Sequence, residues 1–156
     1  MNKPLFAQAL TTGLLAGYGG KTQFTKISRG GFKLSSSHFE NDQIVYHDEW
    51  VNGGGQELVK VGGESFTRVY AGGIAKNIDQ IPLTEKEIIS FLISQIQKLG
   101  ESTRLFSDCR RLDDEWLYEY KIITQDTDIN LTVGQESIRY KNELVFRHIF
   151  VLSPVE

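Results

Sequence analysis

The brevity of its turns restricts this chain more than any other feature. Segments rich in β-branched and aromatic residues are punctuated at Arg29-Gly30-Gly31, Glu40-Asn41-Asp42 and Gly62-Gly63 in the first half. Asp113-Asp114, Gln125-Asp126-Thr127 and Lys141-Asn142 do the same in the second. A parallel strand needs a long crossover, so connections this short impose antiparallel neighbours. Strands are expected at about 22–27, 32–39, 43–61 and 64–72, and again at about 104–111, 115–124, 128–140 and 143–152. The glycine triplet Gly53-Gly54-Gly55 inside the third segment reads as a bulge or bend in one long strand.

A helix precedes each run. The clearer one covers about Thr84 to Leu99: Thr84 and Glu87 have capping-box spacing, and Ile88, Leu92, Ile96 and Leu99 form a stripe closed by Gly100. The other covers about Pro4 to Leu15, with Phe6, Leu10 and Leu14 on one side. The order helix-then-strands occurs twice, over about 4–73 and 84–152. Gly55-Gln56-Glu57 aligns with Gly134-Gln135-Glu136, Glu64 with Glu143, and Arg68 with Arg147. The expected fold is therefore α+β: two helix-plus-antiparallel-meander halves from an internal duplication. They would form one large curved antiparallel sheet, or two packed sheets, with the helices on one face. At 156 residues the chain fits a single domain, 1–156.

Register gives the sharpest expectation. Counting outward from a two-residue Gly62-Gly63 turn sets Glu57 opposite Arg68, and counting from Lys141-Asn142 sets Glu136 opposite Arg147. Each acid–base pair is either an exposed cross-strand contact or a partly desolvated pair lining a cleft.

Several chemistries lack their residues. A net charge of −3 offers no basic field for nucleic acid or an anionic membrane, and no apolar run is long enough to cross a bilayer. One cysteine, Cys109, excludes an internal disulfide, and the Arg110 and Arg111 beside it are the kind of neighbours that lower a thiol pKa. Gly20-Lys21-Thr22 lacks the upstream glycine of a phosphate loop, since Leu15 stands in its place. His38, His47 and His148 show no metal-ligand spacing, with His38 and His47 expected out of register, so no metal or cofactor is expected. The N-terminus makes a poor signal peptide, and the cytoplasm is the expected location.

Aromatic alternation remains. Tyr46 and Trp50 share one side of a strand, as do Trp116, Tyr118 and Tyr120 on another, and such a face is either helix-covered core or a binding surface. Tyr46, Trp50, Glu57, Arg68, Tyr70, Trp116, Tyr118, Glu136, Arg147 and His148 are the candidate ligand-binding residues. The first functional expectation is a non-catalytic domain that binds a small molecule or a protein through this face, with a homodimer left open. An enzyme with a polar cleft near the Glu/Arg pairs is the alternative. A haem-handling role through His148, which lies between Phe146 and Phe150 on one face, is a third.

Ala16-Gly17-Tyr18-Gly19-Gly20, Trp50 followed by Gly54-Gly55-Gln56-Glu57, Tyr70-Ala71-Gly72-Gly73 and Gly134-Gln135-Glu136 together carry a resemblance. On these motifs the chain resembles, over most of its length, a bacterial family catalogued only as a domain of unknown function. The resemblance implies an architecture and a bacterial origin, and no catalytic residue.

Overall fold

Turn chemistry sets the architecture of the computed structural model, which describes residues 2–20, 24–103 and 106–155. Helix α1 (Lys3–Ala16) is capped by the Asn2 side chain, and helix α2 (Glu85–Leu99) by Thr84 with the full reciprocal capping box to Glu87. Between them lie β1 (Thr25–Arg29), β2 (Phe32–Glu40), β3 (Ile44–Val51), β4 (Gly54–Val61) and β5 (Glu64–Ile74). After α2 come β6 (Cys109–Asp113), β7 (Trp116–Asp126), β8 (Leu131–Tyr140) and β9 (Glu143–Val155). Every pairing is antiparallel, and the nine strands form one sheet in the order β1-β2-β3-β4-β5-β9-β8-β7-β6. Residues 21–23, which include most of the Gly20-Lys21-Thr22 motif, and residues 104–105 of the strand expected at 104–111 lie outside the described residues.

The segment expected as one strand from 43 to 61 is instead a hairpin. Val51 pairs with Gly54 around Asn52-Gly53, and Gly53 has φ +107. Asn-Gly is the dipeptide best suited to a two-residue hairpin turn. The glycine triplet is thus one turn residue and the first two residues of β4, rather than a bend. Lys141 and Asn142, with φ +48 and +70, make the two-residue turn expected of them.

The register beyond that second turn differs from expectation. Tyr140 pairs with Glu143 and Arg139 with Leu144, but Ile138 then pairs with Phe146, leaving Val145 as the extra residue of a β-bulge. Val145 and Phe146 are adjacent and both buried, which regular alternation forbids and a bulge permits. Everything farther out slips by one: Glu136 faces His148, and Arg147 faces Ser137 with its side chain exposed. The first pairing stands, with Glu57 opposite Arg68. His38 and His47 are also in register, opposite each other with rings 5.8 Å apart, because four residues rather than three turn the chain between Glu40 and Val45. Each contacts a nearby carboxylate, Glu40 for His38 and Glu49 for His47.

Two apolar clusters anchor the helices. Phe6, Ala9 and Leu10 of α1 pack on Ile44, Tyr46, Val59, Val61, Phe66 and Leu152. Ile88, Leu92 and Ile96 of α2 pack, with Leu14, on Tyr118, Tyr120, Ile138, Val145, Phe146 and Phe150. Cys109 packs against the second cluster, and burial pushes its thiol pKa up, outweighing the opposing pull of Arg111. Desolvation thus outweighs the lowering that neighbouring arginines would give this thiol.

The hairpin makes an expected outcome specific. A Cβ at Gly54 would overlap the Tyr70 carbonyl oxygen, whereas one at Gly63 meets nothing within 4 Å and is strained only by φ +80. Gly54→Ala should cost about 2–3 kcal/mol and Gly63→Ala about 1 kcal/mol in urea unfolding. Equal losses would remove the close approach as the cause.

Candidate functional site

Alternation carries polar side chains into the space between the two apolar clusters. Three adjacent rows cross one side of the sheet. The first runs Asp48–Glu57–Arg68–Leu152–Thr132, the second Trp50–Gly55–Tyr70–Phe150–Gly134–Ile122, and the third Gly72–His148–Glu136–Tyr120–Cys109. Asp48, Glu57, Arg68 and Glu136 are each 1–2 % exposed, yet belong to neither apolar cluster. Together with Trp50, Tyr70 and His148 they border a cavity of about 440 Å³. From the helices, Leu14 of α1 and Ile89, Leu92 and Ile96 of α2 complete its wall, with Glu85 at the start of α2. Gly72 allows the strands to approach closely here, since a Cβ on it would overlap the Arg147 carbonyl oxygen beside His148.

The Glu57–Arg68 pair is the buried alternative, not the exposed one. Arg68 Nη1 donates to Glu57 Oε2 at 2.6 Å, with side-chain exposures of 3 % and 1 %. The Tyr46 hydroxyl donates to the other oxygen, Oε1, at 2.9 Å. The guanidinium lies 4.5 Å from the Phe150 ring centroid and 5.5 Å from that of Tyr70, within cation–π range of both. Glu136 receives the Tyr118 hydroxyl at 2.6 Å, as Glu57 receives that of Tyr46. The Tyr70 hydroxyl donates to Asp48 at 3.2 and 3.4 Å. Burial first, then the charges of Asp48 and Glu57, drive the Tyr70 pKa far up, so the phenol stays a hydrogen-bond donor.

Six of the ten candidate residues thus meet at one cavity: Trp50, Glu57, Arg68, Tyr70, Glu136 and His148. Tyr46 and Tyr118 lie behind it, holding the two glutamates. Trp116 lies away from it, stacked on Phe91 at 4.6 Å, and the bulge turns Arg147 out of it. Asp48 and Tyr18 were missed by the sequence reading. Asp48 sits between Tyr46 and Trp50 in the same alternation, a signal that was there to use; Tyr18 is brought in by the path of the chain after α1.

At the mouth, Trp50 is met edge-on by Tyr18 at 5.8 Å and by Phe24 at 5.6 Å. Tyr18, Trp50, Val51 and Asn52 also border a shallower groove that includes Lys26, Lys33 and Ser35. Among the described residues, no group of three or more His, Cys, Asp or Glu side chains could hold a metal ion. No described helix is long and apolar enough to cross a membrane.

Removing one member of a buried ion pair leaves the other charge uncompensated. Arg68→Met should therefore destabilise the protein by about 3–5 kcal/mol, while Arg147→Ala on the exposed side should stay within about 0.5 kcal/mol. Urea unfolding of the two variants checks this, and similar values would contradict the register at the bulge.

Comparison of the chain with protein-family models, with curated proteins and with solved structures found no match.

Proposed function

We propose that the protein binds a small organic molecule in the cavity between its α2 cluster and the buried polar side chains of the sheet, without chemically changing it. One observation carries the reading: a space of ligand size, about 440 Å³, is walled by aliphatic and aromatic side chains and bordered by a few fixed polar groups. Sites for small molecules have this composition, in which apolar walls supply affinity and a few placed polar groups set orientation. The polar groups are held in advance, with Glu57 between Tyr46 and Arg68 and Asp48 under the Tyr70 hydroxyl. Preorganisation of this kind reduces the entropy lost on binding.

A second reading, acid–base catalysis, is favoured by one grouping. The Tyr70 phenol is joined to Asp48, and its ring lies 5.1 Å from that of His148, beside the same cavity. Such a set has donors and acceptors for proton transfer. Mass spectrometry of a ligand recovered after incubation separates the readings: an intact molecule supports binding, and an altered one supports catalysis.

The same geometry supports the duplicated origin. Tyr46–Glu57 and Tyr118–Glu136 are matching diagonal pairs, and Gly55 and Gly134 each lie under a cross-strand ring, Tyr70 and Phe150. Tyr70 and Phe150 face each other where the two meanders join, which is where a pseudo-twofold axis would pass. On this reading Arg68 corresponds to His148 rather than Arg147, and each meander supplies one Tyr–Glu pair, with both helices covering the same face. Superposing β3–β5 on β7–β9 tests it, since Tyr46 must fall on Tyr118 and Arg68 on His148.

Trp50 provides a direct assay. The chain has two tryptophans, and Trp116→Phe preserves stacking on Phe91 while leaving Trp50 at the cavity as the only indole. Small aromatic and aliphatic molecules should change its fluorescence saturably, and Ile89→Phe, which fills the wall, should weaken that response. A collection of such molecules with no saturable effect would overturn the reading.

A further inference from the structure

The charge and ring chemistry of the cavity select among classes of organic ligand. Four carboxylates border it, Asp48, Glu57 and Glu136 on the strands and Glu85 on α2. Among the described residues at its border, one guanidinium stands against them, that of Arg68, bonded to Glu57 at 2.6 Å. Four of the described side chains at its border thus carry a carboxyl group, and two, Arg68 and His148, carry a basic one. A cationic ligand can donate charge-assisted hydrogen bonds to these carboxyl groups, which an anionic one cannot.

The aromatic groups make an independent case. Tyr18, Trp50 and Tyr70 border the same cavity, and Trp50 is steadied edge-on by Tyr18 and Phe24. Aromatic faces attract cations, indole most of all, and groups of such rings are a recurrent way to hold an ammonium. Arg68 already shows the effect inside this protein, lying over Phe150 and near Tyr70. A metal ion is the wrong cation here, since no described group of acids and histidines has a ligating arrangement.

Resting on the reading of the cavity as a ligand site, we infer that its ligand is an organic cation, a protonated amine or amidine joined to an apolar body. The charged end lies toward Asp48 and the Trp50 and Tyr70 rings. The apolar body rests against Ile89, Leu92 and Phe146.

Three probes of one shape test it: phenethylamine, phenethyl alcohol and 3-phenylpropanoate, titrated into the Trp116→Phe protein at pH 7.5 with Trp50 fluorescence as readout. The amine should bind about tenfold more tightly than the alcohol, as a charge-assisted contact exceeds a neutral one. The carboxylate should bind most weakly, and added salt should weaken the amine alone. Asp48→Asn should weaken the amine far more than the alcohol and so remove most of the amine's advantage. Glu85→Gln, at an exposed position, repeats the test with a smaller loss in case Asp48→Asn does not fold, as judged by circular dichroism. Alcohol binding as tightly as amine, or the carboxylate binding best, would overturn the cation while leaving the cavity a binding site. No binding by any of the three, with no fragment binding either, would overturn the binding reading itself.

Discussion

The contact between Glu57 and Arg68 is the constraint on which the centre of this protein depends. Two charges taken out of water cost several kcal/mol each before their attraction is counted, and an apolar pair of the same volume is often as stable or more so. Stability alone therefore gives little reason for the pair. Its surroundings are built to hold it: Tyr46 takes the second carboxylate oxygen, and Phe150 and Tyr70 lie against the guanidinium. The register that opposes Glu57 to Arg68 also places Asp48 beside Glu57, and Trp50 and Tyr70 one row on. A slip of one residue in either hairpin would send this set to the other side of the sheet.

That register was legible wherever local chemistry decided it. Gly62-Gly63 suits a two-residue turn, and outward counting from it gave the Glu57–Arg68 contact without knowledge of the fold. Thr84 and Glu87 marked the start of α2 in the same way, because a capping box depends only on residues three apart. The Asn52-Gly53 hairpin was equally local; its signal was hidden by two further glycines, which made the segment look like one bent strand. Val145 posed a different problem. A bulge satisfies two adjacent buried residues, and the sequence shows only their adjacency, not which of the two faces inward in a regular strand.

The candidate site was legible in part for the same reasons. Alternation put Trp50, Glu57, Arg68, Tyr70, Glu136 and His148 on strands that proved to be neighbours, though Glu136 and His148 became partners only through the bulge. Which strands lie in the middle of the sheet is a matter of long-range pairing, and no turn encodes the meeting of β5 with β9. Tyr18 and the α2 residues reach the cavity through tertiary packing alone. Asp48 was overlooked because a lone acid among aromatics carries no motif, although its alternation with Tyr46 and Trp50 placed it.

The polar seam between the two apolar clusters has a mechanical consequence. Most of each helix is fastened to its own set of strands by apolar contact, with Leu14 of α1 reaching into the α2 cluster, and ions and hydroxyls fill the boundary between those sets, beside the cavity. Apolar cores part only at a large cost, whereas a hydrated cavity edge can widen as water follows into it. A spreading of α1 from α2 along that boundary would therefore give up apolar contact at Leu14, the α1 residue that packs with the α2 cluster. Such a motion would widen the mouth of the cavity without unfolding any strand, and a guest bridging its two sides would act as the bolt that closes it.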